Sequence, residues 1–225
     1  MRKKSKVIKR FNKVEGRYIE KIYGQNRFGY SQSDFEDLYD MIEWAKRGGY
    51  QGSELLNYDF TTGKVYKPFN KKRNVVYGTP VYVDEFLYFL QGDYDNKKIT
   101  LYRYIPEKVL ENITELNIEE VNLYNLSIIG SPLYIISQKA EDGFKCYYPE
   151  KISFPIKENE SVILIENGKV YLDAWIEEGW DDENDCATDE YKYYNRIIIK
   201  DFAGNIISEE IGCLNKSAYG DWWIA

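Results

Sequence analysis

Short runs in which apolar and polar residues alternate, parted by polar turns, fill most of this chain, and one apolar-aromatic phrase recurs among them. It reads Asp37-Leu38-Tyr39-Asp40-Met41, Phe86-Leu87-Tyr88-Phe89-Leu90, Pro132-Leu133-Tyr134-Ile135-Ile136, Lys169-Val170-Tyr171-Leu172-Asp173 and, at the end of the chain, Asp221-Trp222-Trp223-Ile224-Ala225. Counted from Leu38 at the residue before the aromatic, the copies follow at intervals of 49, 46, 37 and 52 residues. Runs this short, bounded by Gly, Asn and Pro, predict strands, and five copies predict five similar units.

Each unit reads as a meander. In the fourth, Val170 to Trp175 leads to Arg196–Phe202, turns at Ala203-Gly204-Asn205 and returns along Ile206–Ile211. In the first, Leu38 to Trp44 leads to Leu55–Phe60, turns at Thr61-Thr62-Gly63 and returns along Lys64–Phe69. Glycine supplies the positive φ of a tight hairpin at these two turns, and Pro106 and Pro149 pre-set the corresponding turns of the second and third units. A further apolar run before each phrase, such as Val75–Tyr77 or Ser161–Ile165, makes a fourth strand. The expected units span residues 25–70, 74–114, 123–157 and 161–211. One stretch has a competing reading: Ser33 to Lys46 carries capping residues and helical spacing and ends at Gly48-Gly49, which taken alone predicts a helix. Alignment with the other four copies favours a strand over Leu38 to Trp44.

The chain ends suggest how the units close. Val7–Phe11 and Arg17–Ile22 look like the outer hairpin of a unit whose inner strands are at 217–225, so residues 6–23 and 217–225 are expected to share one blade, which would leave no open sheet between first and last units. Over nearly its whole length the chain resembles the five-bladed β-propeller family, which implies an all-β, single-domain ring of four-stranded antiparallel blades over residues 1–225. A four-bladed ring and a two-sheet sandwich carry similar patterning.

Composition sharpens this picture. The 22 Tyr and 5 Trp against 10 Phe favour pleated surfaces with one apolar side and one wet edge. A net charge of −7 disfavours a phosphate-tracking surface, so nucleic acid is not an expected partner. Cys146, Cys186 and Cys213 are odd in number and lack CxxC spacing, which predicts reduced thiols and no thiolate zinc site. The basic start, Met1 to Lys6, is not followed by an apolar core, and no spanning run occurs, so a cytoplasmic monomer without membrane contact is expected.

Candidate chemistry is sparse. Without histidine, Ser-His and Cys-His nucleophile systems and the commonest zinc ligand are excluded, and no phosphate-binding glycine loop is present. The densest carboxylate cluster, Trp180 to Glu190, reads as an inserted loop between the second and third strands of the fourth unit. It lacks the EF-hand order, and it is either a solvated acidic loop or a cation site. The family resemblance extends to one group of glycoside hydrolases, longer chains with insertions, and would use two facing acids such as Asp84, Asp93, Asp173 or Asp221. Trp175, Trp222 and Trp223 alternate with apolar neighbours and are expected to pack between blades, whereas Trp180 lies off the strand pattern and is expected to be exposed. The candidate ligand-binding residues are therefore Trp44, Asp93, Trp180, Asp182 and Asp185, and no catalytic residue, metal or cofactor is assigned. These residues suit a non-catalytic recognition module for a carbohydrate or protein surface. A carboxylate glycosidase and a structural subunit of a larger assembly are the alternatives.

Overall fold

A computed structural model describes residues 8–33, 37–130 and 132–225. The protein is all-β, and by contacts the chain divides into two compact units, residues 1–115 and 116–225.

In the first unit, β1 (Glu20–Lys21), β2 (Phe28–Gln32), β3 (Leu55–Asp59) and β4 (Lys64–Tyr66) form an antiparallel sheet in that order, with helix α1 (Met41–Lys46) between β2 and β3. The second sheet runs β5 (Val75–Tyr77), β7 (Phe86–Asp93), β8 (Lys98–Ile105), β9 (Val109–Asn117), and β6 (Val81–Val83) also pairs with β7. The two sheets bury a common cluster of Ile22, Leu55, Val75, Tyr77, Leu87, Phe89 and Tyr104, into which Phe69 and Tyr102 pack edge to face at 4.9 Å.

In the second unit, β10 (Ser127–Ile129), β11 (Tyr134–Lys139), β12 (Gly143–Tyr148) and β13 (Ile152–Phe154) form one meander. A second is built from β14 (Glu160–Glu166), β15 (Lys169–Asp181), β16 (Cys186–Lys200) and β17 (Ile206–Ile211). Ile136, Phe144, Phe154, Val162, Ile165, Val170, Leu172 and Ile198 join them in one core. The chain ends in a separate hairpin of β18 (Leu214–Lys216) and β19 (Trp222–Ile224).

Sheets span 75–117, 127–154 and 160–211, where the expected units were placed at 74–114, 123–157 and 161–211. The first expected unit, 25–70, differs in its opening strand. The expected strand over Leu38 to Trp44 is replaced by a turn and α1, so the helical reading holds from Met41 on; its residues 34–36 lie outside the described residues. The Asp37 carboxylate accepts the Tyr39 and Asp40 amides, Met41 is fully buried, Glu43 pairs with Arg47 one turn on, and Gly49 N–H closes on Trp44 O as the helix ends. These local bonds outweigh the resemblance of one phrase, and β2 supplies the sheet's strand instead.

The shared terminal blade is also replaced by other pairings. Residues 6 and 7 lie outside the described residues, and 8–19 form no strand. Phe11 packs on Tyr58 and Phe60, the Asn12 amide donates to Gly63 O, and the Asn12 side chain accepts from Val65 N, so this segment belongs to the β3–β4 hairpin. β1 pairs with β2, and β18 with β19.

Asp59 ends β3 with a side chain out of contact with solvent, bonded to Arg27 at 2.7 Å and to the Thr61 and Thr62 amides. Burial works against its charge, yet the bonds from Arg27, Thr61 and Thr62 together hold its pKa below the ordinary aspartate value. With the folded pKa below the unfolded value of about 3.9, this stabilisation is complete above that pH and is lost as pH falls through the folded pKa. Asp59→Asn is expected to lower the unfolding temperature at neutral pH and to flatten its fall below about pH 4. Calorimetry across an acid series reads both, and equal slopes for the two proteins would place the acid limb on other carboxylates.

Candidate functional site

The longest strand pair carries the most unusual surface. β14 accompanies β15 only as far as Ala174, and β17 accompanies β16 only back to Arg196. Beyond these points β15 and β16 continue as a two-stranded ribbon, with Trp175 opposite Asn195, Ile176 opposite Tyr194, Glu177 opposite Tyr193 and Glu178 opposite Lys192, to a turn between Asp181 and Cys186. At ~3.3 Å per residue, the ribbon reaches roughly 20 Å past its sheet. Its base is pinned: Asn159 bonds both backbone groups of Trp175, at 3.0 and 2.7 Å, and Asn195 donates to Asp173 at 2.8 Å.

Strand alternation then sorts the side chains by face. One face holds Trp175, Glu177, Tyr193 and Tyr191. Trp175 and Tyr193 stack with ring centroids 4.8 Å apart and planes 18° off parallel, and Tyr191 stands 6.4 Å from Tyr193. Trp180 meets Tyr191 edge to face at 5.9 Å. The rings remain wet, with Trp175 47%, Trp180 41% and Tyr193 61% exposed. The Tyr191 hydroxyl donates to Glu177, which raises the Tyr191 pKa. The opposite face holds Ile176, Glu178, Lys192 and Tyr194. There the Lys192 ion pair at 2.7 Å, with the Tyr194 hydroxyl, lowers the pKa of Glu178 and raises that of Lys192.

A bulge between Glu178 and Trp180 bends the ribbon. Gly179 makes it possible: its φ is +77°, and a Cβ there would stand 2.7 Å from the Glu190 backbone. The Thr188 hydroxyl donates to Gly179 O at 2.7 Å. At the tip, Asn184 and the Glu183 amide bond the Asp181 carboxylate and lower its pKa.

These observations relocate several expected residues. Trp180, Asp182 and Asp185 lie at a hairpin end: the expected loop over 180–190 is mostly strand, with only 182–185 between β15 and β16. Among the described residues no three acidic or thiol side chains converge as a metal site. Trp175 and Trp223, expected to pack between blades, are exposed. Trp44 is half exposed on α1 of the other unit, beside a cavity of about 420 Å³ lined by Tyr39, Asp40, Ile42, Glu43 and Lys46. Asp93 closes the β7–β8 hairpin, bonded to Asn96 and to Lys72 at 2.6 Å; burial opposes its charge, but these bonds prevail and lower its pKa. Asp84 forms the two-residue β6–β7 turn with Glu85, at the far end of β7 from Asp93, and Asp221 turns β18 into β19 with Ser217. Each of these acids thus serves a turn, and Asp173 serves Asn195. Tyr191 and Tyr193, which complete the aromatic face, went unassigned from sequence; their i, i+2 spacing opposite Trp175 was the available signal.

Cys146 is buried, which pushes its thiol up to about 11, while Cys186 is exposed on the ribbon, and all three cysteines are free. No helix among the described residues is long and apolar enough to cross a membrane. The chain matches no protein-family model, no curated protein and no solved structure.

Proposed function

We propose that the protein is a non-catalytic recognition module, contacting a carbohydrate or protein surface through the aromatic face of the β15–β16 ribbon, and that its repeated meanders are blades of a five-bladed propeller. The observation that carries the recognition reading is the stacked Trp175–Tyr193 pair, held half exposed on a ribbon that projects beyond its own sheet. Rigid aromatics present large contact area with little rotamer entropy to lose, which is why they dominate binding energies at interfaces. Asn159 and Asn195 fix the ribbon's base, so the rings are positioned before any partner arrives.

The test is a parallel titration, followed by tryptophan emission, of soluble oligosaccharides and of a peptide library against the full chain. Any true ligand is expected to lose about 30-fold in affinity with Trp175→Ala/Tyr193→Ala, the equivalent of ~2 kcal/mol for one interfacial hot spot. The unfolding midpoint should hold, because both rings lie outside the buried core. Ligands that bind the doubly substituted protein as tightly as the native one would remove the ribbon face from the reading.

A further inference from the structure

Among the described residues the aromatic face of the ribbon is an unpartnered sheet surface, and its charge says what can cover it. Residues 175–195 contain eight acids, Glu177, Glu178, Asp181, Asp182, Glu183, Asp185, Asp189 and Glu190, and one base, Lys192, a formal charge of −7. The whole chain, with 37 acids and 30 bases, also carries −7, so the rest of the chain holds 29 of each and is balanced. All the net charge of this protein is thus concentrated on the one element that displays stacked, solvent-facing rings. Within it, Lys192 forms its ion pair with Glu178, at 2.7 Å. Among the described residues, Asp182, Glu183, Asp185, Asp189 and Glu190 have no ion-pair partner.

We propose that the partner of this face is a Lys- and Arg-rich stretch of polypeptide; the proposal rests on the reading of the ribbon as the recognition element. Three features combine. The outward ring faces of Trp175, Tyr193 and Trp180 attract guanidinium and ammonium groups through their π-electrons, tryptophan most strongly. The unpaired carboxylates lie beyond them at the bulge and the tip, so a chain whose cations sit on the rings places its neighbouring cations against the acids. Among the described residues no strand pairs with the outer edges of the ribbon beyond Trp175 and Asn195, which offers backbone donors and acceptors to an extended segment and favours a polypeptide over a small polyamine. A neutral sugar would use the rings and leave the charge idle. A polyanion would be repelled, and the field of seven uncompensated charges steers cations inward over a Debye length of about 8 Å at physiological salt.

The experiment titrates the full chain with nona-arginine and nona-lysine peptides, a neutral glucose hexasaccharide and spermine, by calorimetry and tryptophan emission. The basic peptides are expected to bind, nona-arginine more tightly, and to weaken at least ten-fold as salt rises from about 50 to about 300 mM. Trp175→Ala/Tyr193→Ala and, separately, Asp182→Asn/Asp185→Asn/Asp189→Asn/Glu190→Gln should each weaken them at least ten-fold with unchanged unfolding midpoints. If the hexasaccharide binds through Trp175 and the peptides do not, the inference fails while the recognition reading stands. Spermine binding as tightly as the peptides overturns the choice of polypeptide, and absence of peptide binding up to millimolar concentration overturns the proposal outright. Peptide binding insensitive to loss of both rings overturns the proposal and the recognition reading together.

Discussion

Lys200→Met is expected to destabilise the second unit by about 3–5 kcal/mol, because it takes the close cation from the buried Glu160 carboxylate and leaves only the exposed Lys157 ammonium, 4.0 Å away. The Lys200 ammonium on β16 lies 3.0 Å from Glu160 at the start of β14, with side chains only 8% and 4% exposed. It also stands 5.4 Å over the Phe154 ring. Glu160 accepts the Lys157 amide as well, at 3.3 Å. A cavity of about 390 Å³, lined in part by Ala174, Ile176, Arg196 and Ile198, adjoins the pair. Removing both charges should cost far less than removing one, since the desolvation of each ion offsets most of their attraction. Lys200→Met/Glu160→Leu is accordingly expected within about 1 kcal/mol of the native protein, or above it. Urea unfolding followed by tryptophan emission reads this unit well, as Trp175, Trp180, Trp222 and Trp223 all belong to it. A single variant as stable as the native protein would mean that water reaches Glu160 through the cavity.

The second large effect is expected in the other unit. Gly52→Ala should cost about 3 kcal/mol or more, among the severest outcomes of a one-methyl change. The loop after α1 is laced to the segment before β5: Asn74 N–H donates to Tyr50 O at 2.9 Å, Ser53 N–H to Val75 O at 2.9 Å, and Tyr50 N–H to the Asn74 side chain at 2.7 Å. Gly52 passes so close beneath this segment that a Cβ would stand 1.8 Å from the Lys72 carbonyl oxygen, at a φ of +89°. Neither backbone can move without breaking the lacing. Gly48→Ala is the control. It has a left-handed φ of +123° but nothing within 4 Å, so only the conformational term of roughly 1–2 kcal/mol applies. Calorimetry should show a fall of roughly 10 °C or more for Gly52→Ala and a clearly smaller one for Gly48→Ala. Equal falls would assign the cost to φ alone and not to the close approach.

Where sequence and structure agree, the information is local. The sheets over 75–117, 127–154 and 160–211 were legible because each joins neighbouring runs through short turns whose residues carry their own signals. Ile105-Pro106-Glu107-Lys108 turns β8 into β9 with Lys108 N–H on Ile105 O, and Ala203-Gly204-Asn205 turns β16 into β17 around the Asp201 carboxylate. The candidate site was legible in part. Trp180 stood out as off-pattern, but its setting was read as a loop because eight acids mask the alternation of strand residues between Trp175 and Tyr193. The stacking of those two rings depends on cross-strand register, which runs unbroken from Val170 opposite Lys200 out to Glu178 opposite Lys192 and shifts only beyond them, at the Gly179 bulge.

The sequence alone determined the class of the protein, its meander order, its turns and the concentration of its charge, because each depends on residues close together in the chain. Tertiary structure decided three things that no local signal could. Met41 buries into the first unit and commits 41–46 to helix, although the phrase around it also suits a strand. Phe11 and Asn12 find the β3–β4 hairpin, and the two chain ends take separate sheets, since a strand edge accepts whichever segment offers matching backbone groups and side chains. Finally, β14 and β17 stop short of the ends of β15 and β16, and this difference in strand length turns an acidic, aromatic stretch into an exposed ribbon. Burial and pairing across long sequence separations made those choices, and their energies come from partners that a linear reading does not bring together.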